Sequence, residues 1–169
     1  MSEGTDWSLF RKKALSLSLG NEITISIKQG NTTKKIKIAP AKVICIEGSH
    51  IFCANSQVDE MINMKVFIDT DSDIRLSRRI YKDTVENGMH LDQSIIIYLS
   101  QIKKSYEGEI DPTKVNCDLV VPHFGNGYAD HKIQDKSKAD INMKNISNIL
   151  LNQVKSAIKL YEEIEQEEI

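Results

Sequence analysis

The stretch "FIDTDSDIRLSRRIYKD", Phe67 to Asp83, sets the reading of the whole chain. An apolar strand ends in acids, and a helix with paired arginines begins at once. Apolar strands on either side, "KVICIEG" and "CDLVVP", share this look: they are apolar on both faces, as the central strands of a parallel sheet are. Helical segments fall between them. "NSQVDEMIN" reads as a short helix, "SDIRLSRRIYKDTVEN" as a helix capped by Asp73 or Ser72 and stopped at Gly88, and "HLDQSIIIYLSQIKKSYEGEI" as a longer one. Strands alternating with helices predict an α/β domain built on a parallel sheet, with Val43–Ile46, Lys65–Ile68 and Asp118–Val121 as neighbouring strands in a three-layer sandwich.

Outward from this core the pattern changes. Near the N-terminus, Asp6 or Thr5 caps a helix over Trp7–Leu19, with Trp7, Phe10, Ala14 and Leu17 on one face and Gly20 as its stop. "EITISIK" and "KKIKI" alternate apolar and polar about the turn "QGNTT", which predicts a projecting β-hairpin of Glu22–Lys28 with Lys34–Ile38. After "CDLVVP" comes the polar loop "HFGNGYADHKIQDKSK", and residues 139–165 read as a last helix with an acidic end. Along that helix Ile141, Ile146, Ile149, Leu150, Val154, Ile158 and Tyr161 approximate an apolar stripe. The 169 residues suffice for a single domain with a core.

Bulk properties narrow the function classes. With 22 basic and 24 acidic residues the net charge is −2, which gives no general drive toward nucleic acid or acidic membranes. The longest apolar run, Ile95–Leu99, is far too short to span a bilayer. "MSEGTDWSLF" has no basic segment leading into an apolar one, and its early acids Glu3 and Asp6 argue against a cleaved mitochondrial leader; the expectation is a cytoplasmic protein. Cys45, Cys53 and Cys117 form no C-x-x-C pair and read as small buried residues of a reducing compartment, and His50 near Cys53 is too little for a zinc site.

Three stretches, in this order and spacing, resemble the uridine/cytidine kinase branch of the phosphoribulokinase/uridine kinase family. They are "VICIEGSHIF" (43–52), "MKVFIDTDSDIRLSRRIYKDTVENGMHLDQ" (64–93) and "YEGEIDPTKVNCDLVVP" (106–122). Asp69, Thr70, Asp71, Arg75, Leu76, Arg78, Arg79 and Asp83 all fall where that family has them. Weaker likeness extends back to "DWSLFRKKALSLSLGNEITI", so the family-like core runs from about Asp6 to Pro122. The resemblance implies a parallel-sheet, P-loop-kinase-like fold. It also implies ATP- and magnesium-dependent phosphoryl transfer to a nucleoside hydroxyl.

Against that expectation, some of the machinery is missing from these residues. Phosphoryl transfer needs a cradle of backbone N–H groups, a lysine and a magnesium ligand. The family's cradle is G-x-x-x-x-G-K-[ST], and none of the eight glycines here stands in that pattern. The family's loop lies upstream of a segment like "DWSLF", so the chain reads as N-terminally truncated, without the P-loop and without the acid on the strand that follows it. The hairpin, where the family carries aromatic and histidine residues for the nucleoside, has neither. In the lid, Lys82 stands for an arginine, Asn87 and Met89 for two more, and His90 for an aspartate. Lysine keeps charge but loses the bidentate fork.

The surviving candidates each carry two readings. Glu47 could approach a magnesium ion or simply end a strand. Arg75, Arg78 and Arg79, with Lys82, could meet a nucleotide's phosphates, or pair with acids such as Asp71, Asp73 and Asp83. Gln93 could touch a nucleoside or be plain helix surface, and His123 is a lone loop histidine. No catalytic residue and no protein metal ligand is assigned. Two functions follow. One is a degenerate, catalytically inactive uridine-kinase-like subunit that needs no cofactor and associates with itself or with a protein partner. The other is a nucleoside kinase whose phosphate loop is supplied from elsewhere, with ATP and magnesium. A weaker third is a nucleotide-sensing module, whose affinity without a cradle would be only millimolar, about −4 kcal/mol.

Overall fold

A computed structural model describes residues 5–29, 32–53, 56–123 and 137–167. The chain divides into two compact units, Met1–Asn63 and Met64–Ile169.

The first unit opens with α1, Trp7–Ser18, whose N-cap is Asp6: its carboxylate accepts from the Leu9 N–H at 2.9 Å. The apolar face is the expected one. Leu17 is buried, Phe10 and Ala14 are half-buried, and Trp7 meets Phe10 edge to face at 5.7 Å. Gly20 ends the helix with φ of 81°, a left-handed conformation that costs other residues a clash at Cβ. The hairpin follows as β1, Ile23–Gln29, and β2, Thr32–Ile38, antiparallel with Ile23 opposite Ile38 and Ile25 opposite Ile36. Putting the isoleucines opposite one another gathers them on one face while the lysines stay in water.

Two expectations fail in this unit. Val43–Ile46 is not a strand: the segment has no regular structure, and Val43 and Ile44 are 47% and 37% exposed. A parallel strand needs a neighbouring ladder to take its N–H and C=O groups, and the hairpin strands pair with each other. Cys45 in that segment is accordingly exposed, while Cys53 is buried and Cys117 intermediate. The helix expected over "NSQVDEMIN" shrinks to the 3-10 turn Asp59–Met61. Around it Ile51, Cys53 and Val58 are buried, and the Ser56 hydroxyl donates to the Ile51 carbonyl. Arg11 of α1 reaches this turn, donating to the Ser56 carbonyl at 3.1 Å and to Gln57 Oε1 at 2.6 Å.

The second unit carries the parallel pair that the sequence predicts: β3, Val66–Asp69, beside β4, Leu119–Pro122, with Phe67 opposite Val120. Phe67 and Val121 are buried. This places the chain in the α/β class, with a small parallel sheet and a separate antiparallel hairpin. The crossover between β3 and β4 is mostly helical, with a break at Asn87–His90. It begins with α2, Ser72–Tyr81, whose boundary residue is Asp71 rather than Asp73 or Ser72, and continues through a wide π turn, Lys82–Glu86. After Gly88, at φ of 69°, come α3, Leu91–Ile97, a second π turn, Tyr98–Ile102, α4, Lys103–Ser105, a third, Tyr106–Ile110, and a 3-10 stretch, Asp111–Asn116. The buried Tyr98 anchors this run to α2, its hydroxyl donating to the Ser72 carbonyl at 3.3 Å.

The last helix, α5, spans Ser137–Glu167. Within the expected stripe, Ile146, Leu150, Val154 and Ile158 are half-buried and Ile149 is exposed. The side chains of Ile141 and Tyr161, and the polar loop between His123 and α5, lie outside the described residues. No described helix is long and apolar enough to cross a membrane.

Candidate functional site

In parallel α/β sheets, ligands bind beyond the carboxyl ends of the strands. Here that end is formed by Asp69 at the end of β3, Thr70 after it and His123 after β4, tied by the His123 N–H donating to the Asp69 carbonyl at 2.6 Å. The arginine helix α2 starts directly after it.

Each arginine of α2 has a partner inside the unit. Arg79 Nε donates to Asp83 Oδ2 at 2.6 Å, one helical turn on, and the Ser94 hydroxyl donates to the same oxygen at 2.9 Å. Asp83 is only 2% exposed. Burial pushes its carboxyl up, but the hydrogen bonds from Arg79 and Ser94, with the charges of Arg79 and Lys82, outweigh that and hold it below the usual 3.8. This pair therefore links α2 to α3. Arg75 donates to the Thr70 carbonyl and lies 3.6 Å over the Tyr106 ring. Arg78 turns toward the strand ends, its Nη2 standing 3.3 Å from His123 Nδ1.

Lys114 makes a second cluster. Its ammonium group lies 3.0 Å from Asp69 Oδ2 and 2.9 Å from Asp111 Oδ1, with the Phe67 ring 5.2 Å away. Hydrogen bonds to Asp111 and Asp69 raise the lysine above its usual value against the opposing effect of burial. The Lys114 hydrogen bond lowers Asp111, again against burial, and a further hydrogen bond joins Asp111 to Tyr106. Burial, and the neighbouring Asp111, push the Tyr106 hydroxyl up although Arg75 opposes them. Asp69, Lys114, Asp111, Tyr106, Arg75 and Thr70 thus form a chain of contacts that returns to the residue next to where it started.

The structure therefore gathers Arg75, Arg78, Arg79 and His123 in the second unit. Lys82 and Gln93 are on the same unit but exposed. Glu47 belongs to the first unit, at the exposed end of the segment that forms no strand. Of the two readings open to the arginines, Arg79 takes the acid, Asp83, while Arg75 meets a carbonyl and a ring. Sequence reasoning misses Lys114, Asp111, Tyr106 and Ser94 as members of this cluster. "DPTK" reads as a turn, and its i, i+3 acid–base spacing is the available signal for Asp111 with Lys114. Whether ATP and magnesium fit turns on these same contacts. Arg79 spends its Nε–H on a buried carboxylate, Arg75 one N–H on the Thr70 carbonyl, and the sequence has no G-x-x-x-x-G-K-[ST] among its residues. The groups present do not complete a triphosphate site.

The second unit is a parallel α/β arrangement with an arginine-bearing helix at its strand ends, as a P-loop-kinase-like fold has. The chain belongs to the Phosphoribulokinase / Uridine kinase family, whose profile it matches over residues 2–130. It is 29% identical over 139 residues to a uridine kinase of Halobacterium salinarum, covering 80% of this chain and 61% of that protein. It is 39% identical over 92 residues to a uridine kinase of Limosilactobacillus reuteri, covering 54% of this chain and 42% of that one. Uridine kinase-like protein 3 of Arabidopsis thaliana is 38% identical over 92 residues, 54% of this chain and 20% of its own length. The chain thus spans less than two thirds of the length of each of these relatives.

Proposed function

We propose that this chain is a uridine-kinase-like protein that does not phosphorylate nucleosides by itself and works as a structural or binding subunit of a larger assembly. The observation that carries this reading is the set of replacements in the lid: Lys82, Asn87 and Met89 stand where the resemblance places arginines, so the bidentate fork is lost at the first and the charge at the other two. Fewer guanidinium groups are left to clamp a transferring phosphoryl group, and one such contact is worth several kcal/mol in the transition state. Arg79 and Arg75 also each spend an N–H inside the unit, on Asp83 and on the Thr70 carbonyl. On this reading the fold needs no cofactor, and the chain resides in the cytoplasm with a protein partner or a second copy.

A second reading is favoured by Arg78, which faces the strand ends beside His123, and by the names of the relatives, which are uridine kinases. On it the chain contributes lid and sheet to a nucleoside kinase whose phosphate loop comes from further sequence or another polypeptide, with ATP and magnesium as co-substrates.

A phosphorylation assay separates the two. Purified chain, given uridine or cytidine with magnesium and ATP or GTP, is expected to give no monophosphate above a no-enzyme control. Turnover abolished by Arg78→Ala would establish the second reading instead.

A further inference from the structure

The break between the first π turn and α3 sets an asparagine directly before a glycine. Asn87 and Gly88 are both exposed, and every other asparagine among the described residues precedes a residue with a side chain. The peptide unit between the two is also unheld. Among the described residues the Asn87 carbonyl accepts no hydrogen bond, the Gly88 N–H donates none and the Asn87 side chain has no partner. Its neighbours, by contrast, are fixed. The Asn87 N–H donates to the Lys82 carbonyl at 3.1 Å, and the Met89 N–H to the Asp83 carbonyl at 2.8 Å. Gly88, at φ of 69°, has no atom within 4 Å of where a Cβ would stand. The peptide plane can therefore turn by opposite rotations about the ψ of Asn87, here −6°, and the φ of Gly88, with both neighbouring bonds kept, because glycine accepts φ of either sign.

We propose that Asn87 is a self-modification site, converted to aspartate and isoaspartate by the Gly88 backbone nitrogen. That nitrogen gives its proton to water or hydroxide and bonds to Cγ of Asn87. The bond from Cγ to the side-chain nitrogen breaks, and that nitrogen takes up a proton and leaves as ammonia. The product is a five-membered cyclic imide. Water then opens it at either carbonyl, giving aspartate, or isoaspartate with the main chain running through Cβ and Cγ. The net change is amide plus water to carboxylate plus ammonium, and no oxidant or reductant takes part. Its place in the fold gives it an effect. The Met89 bond to Asp83 lies next to it, and the Asp83 carboxylate ties α2 to α3 through Arg79 and Ser94. Isoaspartate lengthens the main chain by one carbon at that joint. Either product puts a negative charge at the C-terminal end of the helical run from α2, where the helix dipole opposes it. The modification thus loosens the lid with age, whichever reading of its activity holds.

Peptide mass spectrometry with isoaspartyl methyltransferase labelling, on the folded full chain held at neutral and mildly alkaline pH, tests this. Aspartate and isoaspartate should build up at position 87, faster at the higher pH, at a rate within about tenfold of that in a free peptide of the sequence VENGMHL. The other Asn-Gly pair, Asn126–Gly127, lies outside the described residues and is read on a separate fragment. Asn87→Gln, an exposed change, should keep the helix content seen by circular dichroism and stay unmodified at 87. Aged wild type should then unfold at lower urea than fresh protein, and aged Asn87→Gln should lose less. An Asn87 that stays intact in the folded chain while the peptide converts, or converts only in urea, overturns the proposal. Equal losses on ageing in wild type and Asn87→Gln overturn the effect on the joint.

Discussion

Two segments of this chain look alike as sequence and behave differently as structure. "KVICIEG" and "MKVFID" are both short apolar runs ending in an acid. The second becomes β3, pairs in parallel with β4 and buries Phe67, which is 7% exposed. The first stays irregular and keeps Val43 and Ile44 in solvent. What separates them is the neighbour. Hydrophobic content makes a strand available, but a ladder on its edge is what makes it a strand, because the backbone polar groups have to be paired before burial gains anything. The consequence is functional. Glu47, at the end of the unpaired run, has no sheet to fix it, whereas Asp69, in the corresponding place after the paired run, is held by Lys114 and by the His123 amide through its carbonyl.

Truncating one side chain in each segment should give the largest difference in stability. Phe67→Ala should destabilise the second unit by about 3–4 kcal/mol, the usual effect of removing a buried aromatic ring. Ile44→Ala should cost less than about 1 kcal/mol, as a half-exposed side chain with little packing to lose does. Urea unfolding of both variants measures the difference, and equal losses would break the comparison.

A smaller effect comes from the joint between α2 and α3. Asp83→Asn keeps the shape but weakens the bonds from Arg79 and Ser94, and should cost about 2–3 kcal/mol at neutral pH. The sign of its pH dependence follows from the direction of the shift. The folded carboxyl lies below the unfolded value of 3.8. Its stabilisation is therefore fully present above that value and fades as pH falls from there through the lower folded value. Wild type should lose this increment in acid titrations monitored by fluorescence or circular dichroism, and Asp83→Asn should show a flatter acid limb. An unchanged limb would place the acid sensitivity elsewhere.

Much of this is legible in the residues alone, where local rules suffice. The cap at Asp6, the stop at Gly20, the isoleucine pairing of the hairpin and the i, i+4 placement of Arg79 and Asp83 all depend on neighbours in sequence. The parallel pairing of β3 with β4 is legible too, since two runs apolar on both faces flank a helical crossover. Periodicity alone does not reveal whether an apolar run such as Val43–Ile46 finds a neighbour. Nor does it give the π turns after Tyr81 and Ile97, because a wide turn shifts the helical phase without changing residue type. Within the site, the bond from Lys114 to Asp69 joins residues 45 positions apart and exists only once β3 and β4 are side by side.

Amide hydrogen exchange on the intact chain tests directly whether the two alike segments differ because only one has a paired edge. Slow exchange is expected at the β3 and β4 amides that face the partner strand, with those of Phe67 and Val121 as the natural reporters. Fast exchange, close to that of an unstructured peptide, is expected across Val43–Glu47 under the same conditions. Protection of Val43–Glu47 equal to that of β3 would contradict this explanation, because that protection requires a ladder on an edge that this structure leaves unpaired.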